Sequence, residues 1–579
     1  MASPFVAILD TMNASALKET LQKAIKGEVS DAEDARRSVA RDASLFERVP
    51  SLVCCPQDAA DVSAIIKVIR QAHDGPGGDD IALAARAAGT DMSGGPLTTG
   101  VVVSFTEHMN HVGEVTPLHH NVGSRRPYID GYGYTEPGVY YRDFEKATLA
   151  KGLILPPYPA SREIAAMGGI VANNAGGERS LEYGKTERYV EELEVVLSDG
   201  SQTTFKALAP AELAEKKKLK NIEGDIYRRM DALLTEHAEL IEAHQPRVAK
   251  NSAGYALWSV KDAHTGLFNL AKLIVGSQGT LALWTRAKLG LIAPKAHRAM
   301  LVCFLYDLSV LPTIVERVLP HNPESFESYD DHTFALAVKF LPQILSQIGW
   351  LKAARLGIEF IPEAAMVATG GVPKMILMAE FAEDTIEAAD AKALAAKSAL
   401  ADLHLHCRIE KNERESEKYW VVRRESFNLL RKNTHGLTAA PFIDDFVVPP
   451  RCYPSFLPQL SALLEQYKDS FIYTIAGHVG SGNFHIIPLM DLSKPEVRKV
   501  VLELAPKVYD LVIKEGGTTT GEHNDGIIRT PYLPQLFGEE MVALFAQTKK
   551  IFDPANILNP GKKVGGTFAD IERDMVHHS

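Results

Sequence analysis

Cysteine is scarce and scattered. The 579-residue chain has five, Cys54, Cys55, Cys303, Cys407 and Cys452, with no Cys-x2-Cys series, which disfavours a cysteine-ligated zinc ribbon or iron–sulfur cluster. The adjacent Cys54–Cys55 pair lies in an apolar run and reads as buried free thiol. A surplus of positive charge is also missing. The 62 Lys and Arg against 73 Asp and Glu leave −11, which argues against nucleic acid as the main partner. No stretch reaches 18 continuous apolar residues, and MASPFVAILDTMNAS has neither a leading basic cluster nor an export signal. A cytoplasmic, reducing location is the default expectation. Neither G-x-G-x-x-G between strand and helix nor G-x-x-x-x-G-K-[ST] is present, so a Rossmann dinucleotide site and a P-loop are both disfavoured.

What is present is an ordinary globular composition, 46% hydrophobic and 23% charged, in a chain too long for one core. Two or three domains are expected. Residues 13–45 read as polar and helical. From 51 the order is strand (SLVCC), helix (DAADVSAIIKVIRQAHD), strand (IALAARA), a glycine-rich turn (AAGTDMSGG, 87–95) and strand (GVVVSF), which suits an α/β nucleotide-binding unit. Two further glycine-rich stretches follow, MGGIVANNAGG within 155–184 and IVGSQGTLALWT at 274–285. Several separate glycine-rich walls suit a large extended cofactor lying in a groove. After about 300 longer apolar strands and helices suggest a second domain. Within it, 334–360 is amphipathic, with Lys339, Lys352 and Arg355 among large apolar groups. Such a helix more often packs on its own core, but it allows peripheral membrane contact.

The richest chemistry lies in GHVGSGNFH at 477–485 and TTTGEHNDG at 518–526, which supply His478, His485, Glu522 and His523. Two neutral imidazoles and a carboxylate can converge on a divalent cation, leaving a further histidine as base. In one flat strand His478 and His485 would face opposite sides; Gly480 and Gly482 permit a turn that re-aims them. Spacing alone does not divide the four side chains into ligands and base.

Taken in order, RAAGTDMSGG, EPGV, MGGIVANNAGGERSLEYG, KNSAGY, GSQGTL, GHVGSGNFH, GEH and NPGK resemble the FAD-linked oxidases of the vanillyl-alcohol oxidase/p-cresol methylhydroxylase superfamily. Within it they look closest to the D-lactate and D-2-hydroxyglutarate dehydrogenase branch. The resemblance runs from about 42 to 565. It implies an α+β chain: an N-terminal helical segment (1–45), a two-subdomain FAD-binding domain (46–295), a substrate or cap domain with antiparallel sheet and covering helices (296–530), and a C-terminal segment (531–579) returning to the FAD domain.

The resemblance also assigns residues. Arg86, Gly89, Thr90, Ser93, Gly94 and Gly95 match the pyrophosphate turn. Pro157, Ser161, Gly168, Gly169, Asn173, Ala175, Gly176, Gly177, Tyr183 and Gly184 match the second cofactor wall. Gly276, Gly279 and Thr280 match the motif near the flavin ring, and Asn559 the asparagine of the C-terminal turn. Thr90 stands where covalent members carry histidine, which implies non-covalent FAD. His478, His485 and Glu522 match the metal ligands, His523 the base, and Arg423 the clamp on the substrate carboxylate. The bland alternative for Arg423 is a helix-surface ion pair with Glu415 or Glu425. The cation is expected to be zinc, with manganese or iron as alternatives.

The implied reaction oxidises a D-2-hydroxy acid to the 2-oxo acid, with His523 as base and hydride passing to flavin N5. Relatives specific for 2-hydroxyglutarate carry a lysine before an aspartate-bearing strand; APFIDDFVVPP (440–450) has Ile443, Asp444 and Asp445 instead. Read as pocket lining, these favour D-lactate over a dicarboxylate. Gln278, where the family often has Glu, reads as a lost charge near the cofactor, and Asn524-Asp525-Gly526 departs from the usual sequence after GEH. The alternatives are a D-2-hydroxyglutarate dehydrogenase, a glycolate-oxidase-type subunit, and a non-catalytic flavin- or metal-binding protein. Electrons must then leave to a quinone, an electron-transfer flavoprotein, a cytochrome or a partner subunit. A homodimer is left open.

Overall fold

In the computed structural model of the chain, residues 15–75, 77–78, 80–118, 129–331, 333, 371–410, 415–423 and 436–577 are described. The amphipathic stretch at 334–360 lies outside them. Among the described residues no helix is long and apolar enough to cross a membrane.

The first sheet holds β1 (Glu28–Ser30), β2 (Leu52–Cys55), β3 (Leu83–Arg86) and β4 (Val101–Ser104) in the order β1-β2-β4-β3. Strands β2, β4 and β3 are parallel, and their apolar runs are buried. Parallel neighbours need a crossover, which helix Ala59–His73 supplies, burying Val62, Ile65, Ile66 and Ile69 at helical spacing. Asp58 caps it by accepting the Asp61 amide at 3.0 Å. The polar N-terminal stretch is not wholly helical, as the composition suggested: β1 interrupts it and pairs antiparallel with β2. Sheet pairing overrides local propensity there.

The second sheet is antiparallel: β5 (Val112–Pro117), β6 (Gly131–Thr135), β7 (Val190–Val196), β8 (Gln202–Lys206) and β9 (Leu283–Leu291), ordered β5-β6-β9-β7-β8. The third begins six residues after β9 ends. It contains β10 (His297–Leu305), β11 (Ser325–Asp330), β12 (Met375–Glu383), β13 (His406–Glu410), β14 (Thr438–Ala439), β15 (Ile472–His478) and β16 (Asn483–Met490), ordered β13-β10-β12-β11-β15-β16-β14 and antiparallel throughout. Helices Leu311–Val318, Ile386–Ser398, Tyr453–Glu465 and Pro495–Lys514 share a core with this sheet. A separate cluster of Met300, Val302, Phe304, Tyr329, Ile376 and Met378 packs against Tyr419, Trp420 and Val422 of the helical residues 415–423. The tail returns to the first sheet. Leu558 bridges Leu83, and the Asn559 amide donates to Leu83 O at 2.7 Å. This α+β architecture agrees with the class expected from the sequence.

Candidate active site

Strands β15 and β16 form a hairpin around the 3-10 turn Val479–Ser481. The turn ends on Gly482 at φ +77°, where a Cβ would lie 1.8 Å from Val448 O, so glycine is required. The register pairs Ala476 with His485. Cross-strand partners share a face, and His478 follows Ala476 by two residues, so both histidines point the same way. Thr474, Ala476, His478, His485 and Ile487 accordingly line one cavity.

The 518–526 loop is held against this hairpin by two buried aspartates. Asp445, in the left-handed region at φ 71°, accepts the amides of Glu522 at 2.9 Å and His523 at 2.7 Å. Its other oxygen accepts Asn483 Nδ2 at 3.0 Å. Asp444 accepts His485 Nδ1 at 3.0 Å through Oδ1 and His523 Nδ1 at 2.6 Å through Oδ2. Burial alone would raise its pKa; His523 and His485 outweigh that and hold its carboxyl well below the usual carboxylate range. Glu327 of β11 plays the matching part for His478, accepting Nδ1 at 2.6 Å.

A carboxylate can only accept, so each imidazole places its hydrogen on Nδ1 and turns Nε2 inward. The three Nε2 atoms surround one oxygen, Glu522 Oε1, at 3.1 Å (His478), 3.4 Å (His485) and 3.9 Å (His523). Lone pairs facing lone pairs at such distances repel unless positive charge lies between them. The same demand appears in the ionisations. Burial disfavours a charged His485, but Asp444 and Glu522 outweigh it and push its pKa up to about 10. Burial likewise opposes a charged His523, and Asp445 and Asp444 raise it nonetheless. Burial works against ionised Glu522, while Lys250 (3.0 Å from Oε2) and His478 bring its pKa well below the ordinary value. The donor set therefore fits a divalent cation. Asp445 also brings an oxygen within 4.8 Å of the His485, Glu522 and His523 donors, but hydrogen bonds already occupy both its oxygens.

The cavity, about 460 Å³, extends from this cluster along the glycine-rich walls. Of the residues assigned to the cofactor, Arg86, Gly89, Thr90, Gly95, Ser161, Gly168, Gly169, Asn173, Ala175, Gly176 and Gly279 line it. Gly176 joins the two halves, since a Cβ there would lie 2.9 Å from Glu522 Oε2. The turn 87–95 divides in two. The amides of Ser93 and Gly95 donate to Asp91 and that of Gly94 to Asp42, at 2.9, 2.8 and 3.1 Å. Those of Gly89 to Met92 have no protein acceptor among the described residues and border the cavity. Free amides on a glycine turn suit the phosphates of FAD.

Ser93, Gly94, Pro157, Gly177, Tyr183, Gly184, Gly276, Thr280 and Asn559 do not line the cavity. They stand behind the walls. Asn559 Nδ2 ties the carbonyls of Gly95 (2.9 Å) and Gln278 (2.7 Å) together, Thr280 Oγ1 bonds Tyr255 at 2.7 Å, and Tyr183 OH donates to Glu324 at 3.1 Å. Ile443, Asp444 and Asp445 are not pocket lining either: Ile443 sits in the core of the third sheet and the aspartates anchor the histidines and their loop. The pocket-lining argument against a dicarboxylate substrate therefore falls. Gln278 also has a bonding role beyond the lost charge. It accepts the Gly526 amide at 2.8 Å and donates to Ser93 Oγ at 3.1 Å and Asn173 Oδ1 at 3.2 Å. Arg423 is buried and lines the cavity, and Nη2 pairs with Glu327 at 3.1 Å rather than with a surface carboxylate. Its Nε is buried without a partner. The sequence pattern did not reveal Glu327, the anchoring role of Asp444 or Lys250; Lys250 lies in KNSAGY and Asp444 in APFIDDFVVPP, whereas Glu327 lies in no motif.

A glycine-walled groove thus opens onto a cluster of side chains able to hold a cation, an arrangement that suits a protein with a bound cofactor. The chain belongs to the FAD-linked oxidases: residues 50–206 match the FAD binding domain family and residues 294–563 the family of FAD linked oxidases, C-terminal domain. D-2-hydroxyglutarate dehydrogenase of Pseudomonas putida is 28% identical over 568 residues, covering 96% of this chain and 53% of that protein. The chain thus spans about half the length of that relative. D-lactate dehydrogenase of Archaeoglobus fulgidus is 28% identical, covering 90% of this chain and 96% of its own. Glycolate oxidase subunit GlcD of Bacillus subtilis is 26% identical, with 89% of each covered. Among solved structures, p-cresol methylhydroxylase superposes with a TM-score of 0.65 at 14% identity, covering 96% of this chain and 98% of the other. 4-Ethylphenol oxidase from Gulosibacter chungangensis gives 0.65 at 16% identity with the same coverage. The fold is of the p-cresol methylhydroxylase type.

Proposed function

We propose that the protein oxidises a D-2-hydroxy acid, D-lactate first, to the 2-oxo acid, with non-covalent FAD and a divalent cation held by His478, His485 and Glu522. The observation that carries the reading is the ring of three Nε2 atoms around Glu522 Oε1, opening onto the glycine-walled cavity. When bound, the cation, zinc in this reading, polarises the 2-hydroxyl, and FAD accepts the hydride. Arg423 receives the substrate carboxylate through its unpartnered Nε. His523 takes the hydroxyl proton at Nε2 while Asp444 fixes its Nδ1. It is the most exposed of the three imidazoles, at 20% against 6% and 10%, which suits a base that meets substrate. Among the described residues the Lys and Arg side chains lining the cavity are Arg86 and Arg423, and Arg86 is held by the carbonyls of Val39 and Arg41. One carboxylate clamp supports a monocarboxylate such as D-lactate. The electron acceptor we propose is a quinone, an electron-transfer flavoprotein or a cytochrome.

Anaerobic stopped-flow bleaching of the flavin against a panel of D- and L-2-hydroxy acids tests this. D-lactate should bleach it and L-lactate should not; a holoprotein that no hydroxy acid reduces would sink the proposal. His523→Ala should keep yellow FAD yet lose flavin reduction, and unchanged reduction kinetics would remove His523 from the chemistry.

A further inference from the structure

Glu327 has no glycine-rich setting and no place in the reaction as argued so far, yet it touches both halves of the site. It lies on β11, where Ser328 pairs with Gly477 and Tyr329 with Ala476. Continuing that register sets Glu327 opposite His478. Its side chain is 1% exposed, and its two oxygens divide the work. Oε1 accepts His478 Nδ1 at 2.6 Å, and Oε2 accepts Arg423 Nη2 at 3.1 Å. One carboxylate therefore orients a proposed cation ligand with one oxygen and holds the proposed substrate clamp with the other.

We propose that Glu327 is a positioning residue that makes cation binding and carboxylate binding reinforce each other, an inference that rests on the functional reading above. The argument follows the sharing of charge. While Arg423 is paired with Glu327, the guanidinium neutralises part of the charge that the carboxylate offers to His478. A substrate carboxylate that reaches Arg423 competes for the same guanidinium and draws it from Oε2. More of the Glu327 charge then acts on the Nδ1 hydrogen, and Nε2 becomes a stronger donor toward the cation. By linkage the cation must strengthen carboxylate binding by the same factor.

The test uses the holoflavoprotein stripped of metal by a chelator. Zinc is titrated in competition with a chromophoric chelator, with and without propionate, a carboxylate lacking the 2-hydroxyl. In the parent protein propionate should tighten zinc binding about fivefold, and zinc should tighten propionate equally. Glu327→Gln keeps the shape and an acceptor for His478 but turns an amide N–H toward Arg423. It should weaken zinc about tenfold or more and abolish the propionate effect, while Glu327→Asp should restore part of both. A merely structural glutamate would shift the melting temperature and leave the propionate factor in place. Zinc affinity within twofold of the parent, or a propionate factor that persists in E327Q, overturns the proposal. His485→Ala separates the levels. If it leaves zinc binding unchanged, the reading of the cluster as a cation site fails; if it abolishes binding while E327Q binds zinc within twofold of the parent, only the role of Glu327 fails.

Discussion

Asp444→Asn tests the architecture of the cluster more severely than removal of any histidine. Asp444 must accept twice, from His485 Nδ1 at 3.0 Å and from His523 Nδ1 at 2.6 Å. Asparagine offers one acceptor oxygen, and its amide N–H₂ confronts the second imidazole with a donor. That imidazole must move its hydrogen to Nε2, where it can neither ligate a cation nor take a proton. One charge-assisted hydrogen bond is lost as well, roughly 1.5–3 kcal/mol. The shorter contact is to His523, so the single acceptor should stay with His523 and His485 should turn. Cation affinity should then fall about 10- to 100-fold, the usual cost of removing a partner that orients a ligand. Were His523 the one displaced, flavin reduction at saturating cation would instead drop about 10²- to 10⁴-fold, the ordinary worth of a general base. Zinc titration and stopped-flow reduction of the same preparation distinguish the two. If D444N binds zinc and reduces flavin within threefold of the parent, Asp444 does not set the tautomers and the inward-facing Nε2 argument is wrong.

Chelation should leave the FAD absorbance intact while abolishing reduction by hydroxy acid, and added zinc, manganese or iron should restore it; activity that survives verified metal removal would exclude the cation. Asn559→Ala removes two buried hydrogen bonds to the carbonyls of Gly95 and Gln278 and should cost about 1–3 kcal/mol, read as a lower melting temperature and faster FAD loss. Gln278→Glu cannot donate to Ser93 and Asn173, so FAD retention should weaken about tenfold, or about 1.4 kcal/mol. A shifted flavin potential with unchanged FAD affinity would favour the charge-deletion reading instead.

The parts of the site legible in the sequence share a local signature. His478, His485, Glu522 and His523 stand beside glycines between apolar runs, and the turn at Gly482 that joins the two histidines to one face is a local event. Parallel strands β2, β4 and β3 were legible for the same reason, because short apolar runs flank an amphipathic helix with its own cap. What stayed hidden is decided by pairing across long separations. Glu327 is a carboxylate on a buried strand, and only the β11–β15 pairing, about 150 residues apart in sequence, brings it to His478. Asp444 and Asp445 looked like pocket lining because adjacency in sequence does not say whether a side chain meets ligand or another side chain.

Two departures from the family pattern make the same point from the other direction. Taken singly, Gln278 is a missing charge and Asn524-Asp525-Gly526 an altered loop. In the fold they are one unit. Gly526, at φ +50° and with a Cβ that would lie 2.2 Å from Ser93 O, brings its amide to Gln278 Oε1, while Gln278 Nε2 reaches Ser93 and Asn173. Asn524 Nδ2 closes the contact on the carbonyls of Asn173 and Gly276, at 3.2 and 2.9 Å. An amide accepts through its oxygen and donates twice through its nitrogen, which an ionised glutamate at the same place cannot do, so the glutamine suits the loop it serves. The loop that bears Glu522 and His523 is thereby bonded directly to two of the glycine-rich walls, through Asn173 on one and Gly276 and Gln278 on the other.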